Sequence, residues 1–148
     1  MVGKPIRGMK CMNAEVFLDT NIVVYSFDRG DARRHQLAKK RLGELFSRQA
    51  CVAVSIQVLQ EFFHTMSRKG ANPSILREAL EYYMRRDVVE NTCPLLRRAI
   101  DVQQRFQLSF YDANIVAAAQ LAGAKELWSE DFNTGQDYDG VVAVNPFL

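Results

Sequence analysis

The sequence predicts an α/β domain in which a mostly parallel sheet has helices on both sides. Short apolar segments typical of strands alternate with longer segments typical of amphipathic helices. The strand segments are apolar throughout rather than alternately polar, as expected for strands buried on both faces. The chain has 148 residues, of which 48% are hydrophobic, and this is enough for one domain with its own core.

The first half of the chain begins with a predicted strand that leads directly into a helix. A second helix carries Ala38, Leu42 and Leu45 on one face and basic residues elsewhere. Ser55 is a suitable N-cap for the helix that follows the second strand. The predicted elements are a strand at 15–19, helices at 20–27 and 31–47, a strand at 51–54, and a helix from 55 to about 68 that ends at Gly70.

The second half continues the alternation. Asn72 and Pro73 form a cap and first-turn pair for the next helix. The segment 109–122 is apolar nearly all round and ends at Gly123, which indicates a buried helix. The remaining predicted elements are a short strand at 88–90, a helix from residue 94, and strands at 126–129 and 141–144.

We divide the chain into a flexible extension at residues 1–14 and a single domain at 15–148. The extension lacks the apolar centre of a secretory signal, so export is not expected. Cys11, Cys51 and Cys93 are odd in number and widely spaced, which predicts neither a disulfide framework nor a zinc site. A reducing, cytoplasmic location follows. No segment has the roughly 20 apolar residues that a membrane span needs.

The charge distribution tells more than the net charge of +2. Residues 29–105 contain 15 Lys or Arg against 8 Asp or Glu, whereas residues 106–148 contain one Lys against six acids. Basic helices beside an acidic site would bind a polyanion through its phosphates while a cation lies among the carboxylates. Solvated helix faces explain the pattern equally well.

Two acidic residues lie at or just beyond the carboxyl ends of predicted strands. Asp19 comes after Val16–Leu18, and Asp131 lies in the loop after the strand at 126–129. Parallel strands place their carboxyl ends at one edge of the sheet, where α/β proteins bind ligands. Each residue also has an ordinary structural explanation, because Asp19 suits a helix N-cap and Asp131 suits an Asx turn.

Two further acids belong to helices. Glu61 lies on the border of the apolar face of its helix, a position that is more often simply solvated. Asp112 is the only charged residue between Ser109 and Gly123, and the Ser109–Asp112 spacing matches a capping box. The strongly apolar helix nevertheless places Asp112 at a partly buried junction, where its charge needs a counterion.

The predicted fold brings Asp19, Asp112 and Asp131 near one edge, with Glu61 in reach. Four carboxylates stay ionised at close range only if a cation is present. An all-oxygen ligand set suits Mg²⁺ or Mn²⁺ rather than zinc. The acids therefore predict a divalent metal site, and Asn21 and Ser129 are candidates to hydrogen-bond its carboxylates or to cap turns.

Other catalytic patterns find no support. His35 and His64 form no ligand pair and are read as structural or solvated residues. The sequence contains no nucleophile elbow, no Walker A motif and no dinucleotide-binding glycine motif. Serine-nucleophile and nucleotide-fold functions are not indicated.

Four segments carry the candidate acids: FLDTN at 17–21, LQEFF at 59–63, FYDANIVAAA at 110–119 and LWSEDFNTGQ at 127–136. Together they resemble the PIN-domain nuclease family. The resemblance covers residues 15–148, and the set is similar to VapC-like toxin ribonucleases of type II toxin–antitoxin pairs. It implies a three-layer α/β/α sandwich and a metal-dependent ribonuclease. Its acidic quartet maps onto Asp19, Glu61, Asp112 and Asp131.

The resemblance also implies products with a 3′-hydroxyl and a 5′-phosphate, a homodimer and a cognate antitoxin that blocks the site. Some relatives carry another acid two residues after the position of Asp131, where this chain has Asn133, so the number of metal ions stays open at one or two. Basic residues are candidate phosphate contacts: Arg33, Arg34, Lys39, Lys40, Arg68 and Lys69.

Two other functions compete with this hypothesis. One is a PIN-like module that binds RNA or protein without cleavage, against which the complete acidic quartet counts. The other is a phosphatase or phospho-receiver domain. That class uses a second Asp after the first strand, where this chain has Thr20 and Asn21. It also uses a Lys after a later strand, and no suitably placed Lys follows the later strands here.

Overall fold

The computed structural model describes residues 11–148 and shows the predicted α/β architecture. A six-stranded sheet has the order β3-β2-β1-β4-β6-β5 and is flanked by helices in a three-layer arrangement. The strands are β1 (Val16–Leu18), β2 (Val52–Ser55), β3 (Asp87–Val89), β4 (Glu126–Trp128), β5 (Asp137–Tyr138) and β6 (Val141–Val144). The helices are α1 (Thr20–Phe27), α2 (Ala32–Ser47), α3 (Ile56–Arg68), α4 (Pro73–Met84), α5 (Cys93–Phe106) and α6 (Phe110–Leu121).

All strand pairs are parallel except β5 with β6. The central strand β1 is fully buried, as its continuous apolar sequence predicts. The sequence prediction did not include β5, a two-residue strand that pairs Tyr138 with Val141. Such a short segment shows no periodicity that would distinguish it from a loop.

The predicted helix caps explain where several helices begin. Ser55 accepts a hydrogen bond from the backbone N–H of Val58, and Asn72 accepts bonds from the first turn of α4. The helix α6 has six buried residues, which confirms the burial predicted from its apolar sequence. Gly123 follows this helix with φ of +66°, a conformation that glycine adopts without strain.

The prediction that the cysteines form no disulfide was wrong. Cys11 and Cys51 are bonded, with their Cα atoms 6.0 Å apart. Parallel pairing of β1 with β2 brings the two cysteines together at the amino ends of these strands, which sequence spacing does not reveal. The cysteine argument for a reducing location is thereby lost. Cys93 is a free, exposed thiol.

Residues 1–10 of the predicted extension lie outside the described residues, and residues 11–14 contact the domain. Ala14 is buried, and its N–H donates to the carbonyl of Ala122. Within the described part of the chain, no helix combines the length and apolar character that a membrane span requires.

Candidate active site

The carboxyl ends of β1 and β4 form the centre of the candidate site. These strands are neighbours, with Leu18 opposite Trp128, so the next residues of both strands lie side by side. The hydroxyl of Ser129 donates to Oδ2 of Asp19 at 2.7 Å, and the N–H of Thr20 donates to Oδ1 at 2.7 Å. Asp19 therefore caps α1, as its ordinary explanation requires, and also contacts the β4 loop.

Asn21 links Asp131 to the same edge. Its Nδ2 donates to Oδ2 of Asp131 at 3.1 Å and to Oγ of Ser129 at 3.3 Å. The N–H of Asp131 donates to Oγ of Ser129 at 3.0 Å, and the N–H of Glu130 donates to Oδ1 of Asn21 at 3.3 Å. Asn21 and Ser129 thus bond the two carboxylates that sequence analysis placed beside them.

Glu130 anchors the turn between Ser129 and Asp131. The hydroxyl of Tyr25 donates to its Oε1 at 3.0 Å, and Nε of Arg34 donates to its Oε2 at 2.9 Å. Arg34 also pairs with Asp31 at 2.9 Å. The guanidinium of Arg34 therefore holds two carboxylates, a role that the sequence analysis did not include.

Glu61 lies on the second turn of α3 with its side chain exposed. Nε2 of Gln57 donates to Oε1 of Glu61 at 2.7 Å. Gln57 was not among the residues predicted from the sequence, although its spacing of four residues from Glu61 places both on one helix face.

Asp112 lies in the first turn of α6 and is partly buried. Its N–H donates to Oγ of the N-cap Ser109 at 3.3 Å, which is half of the predicted capping box. Its carboxylate, in contrast, accepts no hydrogen bond from residues 11–148. The backbone of Asp112 serves helix capping, while its side chain has no competing hydrogen bond from the described part of the chain.

Burial raises the pKa of Asp19 to about 6, because only 6% of the residue is exposed. The hydrogen bonds from Ser129 and Thr20 lower this pKa, while the charges of Asp131 and Glu61 raise it. Asp19 is thus a buried carboxylate within electrostatic range of two further acids, so ionisation of Asp19 is costly without a cation.

The comparisons with known proteins agree with this architecture. The sequence model of the PIN domain matches residues 16–135. The chain belongs to the PIN domain family. A comparison with curated protein sequences gave no significant match.

Solved structures of toxin proteins share the PIN fold. VapC20 of Mycobacterium tuberculosis, a sarcin–ricin loop cleaving toxin, is 24% identical with a TM-score of 0.61, covering 76% of this chain and 87% of its own. A toxin–antitoxin complex from Klebsiella pneumoniae is 23% identical with a TM-score of 0.63, covering 89% and 98%. DNA-bound VapBC from Salmonella typhimurium is 15% identical with a TM-score of 0.63, covering 90% and 98%.

The donor chemistry of this PIN domain fits a hard divalent cation. Its acidic side chains supply only oxygen ligands, and the buried Asp19 carries charge that a cation would stabilise. The hydroxyl of Thr20, next to Asp19, is the one buried side-chain polar atom among residues 11–148 without a hydrogen-bond partner. No three His, Cys, Asp or Glu side chains of this same part are grouped closely enough to hold a metal as they stand.

Three of the six basic residues predicted to contact RNA phosphates are engaged within the PIN domain. Arg33 donates to the carbonyl of Phe147 at 2.6 Å, Arg34 holds Asp31 and Glu130, and Lys69 pairs with Asp28. Lys39, Lys40 and Arg68 have exposed side chains.

Proposed function

We propose that this PIN domain is a divalent-metal-dependent endoribonuclease that acts as the toxin of a toxin–antitoxin pair. The main support for this proposal is the buried carboxylate of Asp19 at the carboxyl edge of the sheet. It accepts a hydrogen bond from Ser129 and interacts electrostatically with Asp131 and Glu61. Membership of a nuclease family supports the reaction class. Similarity to a sarcin–ricin loop cleaving toxin and to toxin–antitoxin complexes supports RNA as substrate and an antitoxin as partner.

Asp19, Glu61, Asp112 and Asp131 are the residues that would hold Mg²⁺ or Mn²⁺. The bound ion would supply a water of lowered pKa and would neutralise charge on the scissile phosphate. Ser129 and Asn21 orient Asp19 and Asp131 through the hydrogen bonds described above. Exposed cations at Lys39, Lys40 and Arg68 would attract the RNA backbone. The proposal extends to a homodimer that acts in the cytoplasm.

The proposal is tested by cleavage of structured RNA in Mg²⁺, Mn²⁺ or EDTA, with Asp112→Asn as the variant. The substitution keeps the shape and the N-cap bond but removes one charge, so we expect a rate loss of about 10³-fold or more with an unchanged melting temperature. Asp101→Asn, at an exposed position of α5, is the matched control and should cleave normally. Equal rates for Asp112→Asn and wild type would refute the metal role.

The same assay separates the non-catalytic alternative. If the protein binds RNA in a salt-dependent manner and EDTA has no effect because no cleavage occurs, the domain is a binding module. The carboxylate of Asp112 accepts no hydrogen bond from residues 11–148 and is partly buried, which favours the enzyme, since a binding module has no use for such an acid.

A further inference from the structure

Gln57 is a buried polar residue whose amide nitrogen and amide oxygen both form hydrogen bonds. It is 8% exposed and lies in the first turn of α3. Nε2 donates to Glu61 at 2.7 Å, and Oε1 accepts from Nδ2 of Asn114 at 2.5 Å. A weaker contact of 3.5 Å joins Nε2 to the carbonyl of Tyr111. Burial of an amide is favourable only when its groups are paired in this way.

The chemistry of the chain fixes the orientation of the Gln57 amide. An ionised carboxylate only accepts hydrogen bonds, so the NH₂ group of Gln57 must face Glu61. The carbonyl oxygen then faces Asn114, which donates to it. A reversed amide would place two oxygen atoms together at Glu61 and two NH₂ groups together at Asn114.

This arrangement links the helix that carries Glu61 to the helix that carries Asp112. A bond between Gln57 and Glu61 alone would fix the carboxylate only with respect to α3. Asn114 belongs to α6 and follows Asp112 by two residues, so Gln57 joins the two helices that carry these acids. Because Oε1 of Glu61 is occupied by Gln57, Oε2 is the oxygen left for a cation or its water.

We propose that Gln57, anchored by Asn114, is a positioning residue that turns one carboxylate oxygen of Glu61 toward the metal and RNA site. The inference rests on the proposed function, because it assigns a task to Glu61 in metal binding. Partners that orient metal-ligating groups typically contribute a factor of ten to one hundred in metal affinity.

The test measures Mn²⁺ binding by direct titration in the absence of RNA. Gln57→Met keeps the length and apolar contacts of the side chain but removes its hydrogen bonds to Glu61, Asn114 and the carbonyl of Tyr111. We expect the Mn²⁺ dissociation constant to rise about tenfold. Gln60→Met, at an exposed position of the same helix, is the control and should bind Mn²⁺ as wild type does.

A double-mutant cycle with Glu61→Gln distinguishes positioning from a general structural effect. If Gln57 acts through Glu61, then Gln57→Met adds little to the loss already caused by Glu61→Gln. Additive losses would overturn the proposal, and so would wild-type Mn²⁺ affinity in Gln57→Met. If Glu61→Gln itself binds Mn²⁺ normally, the metal role of Glu61 in the proposed function fails instead.

Asn114→Ala supplies a second route if Gln57→Met does not fold, as judged by circular dichroism. This variant removes the anchor but leaves the bond from Gln57 to Glu61. We expect a smaller rise in the Mn²⁺ dissociation constant, abolished in the Glu61→Gln background. An unchanged dissociation constant in Asn114→Ala would count against the anchoring role and overturn the proposal in this form.

Discussion

The two halves of the candidate site are built differently. At the sheet edge, Asp19 and Asp131 are held by hydrogen bonds from Ser129, Asn21 and the backbone. At the helices, Glu61 is held by one amide, and the carboxylate of Asp112 accepts no hydrogen bond from the described residues. The sheet edge is formed by strand pairing, whereas the helix half depends on a few side-chain contacts for its arrangement.

The strongest test of the preformed half is Asp19→Asn, measured as the free energy of unfolding against pH in EDTA. The pKa of Asp19 is about 6 in the folded protein against an ordinary value of 3.8. Burial of Asp19 therefore costs no stability below pH 3.8, where the carboxyl is protonated in both the folded and the unfolded state. The folded protein loses stability as pH rises toward 6. We expect Asp19→Asn to be more stable than wild type above pH 6 by up to about 3 kcal/mol.

In the same experiment, the difference between the two proteins should shrink to near zero by pH 3.5. Added Mn²⁺ should stabilise wild type more than Asp19→Asn, because only wild type gains a counterion for a buried charge. Asp101→Asn serves as the exposed control. A variant no more stable than wild type at pH 7.5 would show that burial of the Asp19 charge is not costly.

Ser129→Ala removes the hydroxyl at the centre of the sheet-edge half. Ser129 donates to Asp19 and accepts from Asn21 and from the N–H of Asp131. We expect a loss of about 2 kcal/mol in the free energy of unfolding at pH 7.5, since the bond to an ionised carboxylate is lost. The bond lowers the pKa of Asp19, so the loss should diminish as pH falls through about 6 and be small at pH 4, where Asp19 is protonated in the folded protein.

Chemical denaturation of Ser129→Ala at the two pH values measures this effect. Ser47→Ala is the matched control, because that hydroxyl is exposed and bonds only within α2. Equal losses at both pH values would contradict the link to the charge of Asp19.

Arg34→Met addresses the outer support of the sheet-edge half. It releases Glu130 while Tyr25 still holds it and Asn21 still holds Asp131, so the turn is only loosened. We expect the Mn²⁺ dissociation constant to rise by less than tenfold, a smaller effect than that of Gln57→Met. Arg77→Met, which breaks an exposed ion pair with Glu81, should leave Mn²⁺ binding unchanged. An effect of Arg34→Met larger than that of Gln57→Met would reverse the comparison between the halves.

The sequence predicted the parts of the site that depend on strand ends. Asp19 and Ser129 follow directly after buried strands, and parallel pairing places them together. The helix caps at Ser55 and Asn72 were equally readable, because capping is a local interaction. These features can be predicted from the spacing of the apolar residues and from the position where each strand ends.

Contacts between side chains that are distant in the chain could not be predicted from the sequence. Gln57 and Asn114 are 57 residues apart, and Arg34 and Glu130 are 96 residues apart. Arg34 was expected to contact RNA phosphates because it lies in a basic helix, but two carboxylates in the fold engage it. Such pairings depend on how helices are placed against the sheet, which a local pattern does not specify.

The bond between Cys11 and Cys51 encloses β1, α1 and α2 in a covalent ring that contains Asp19. Cross-linking across 40 residues restricts the unfolded chain, an effect worth about 4 kcal/mol on an entropic account. The ring closes at the amino ends of the strands, and the acids lie at their carboxyl ends. A thiol reductant should therefore lower the melting temperature while leaving the acidic edge intact. The cross-link that stabilises the fold and the acids of the candidate site thus lie at opposite ends of the strands.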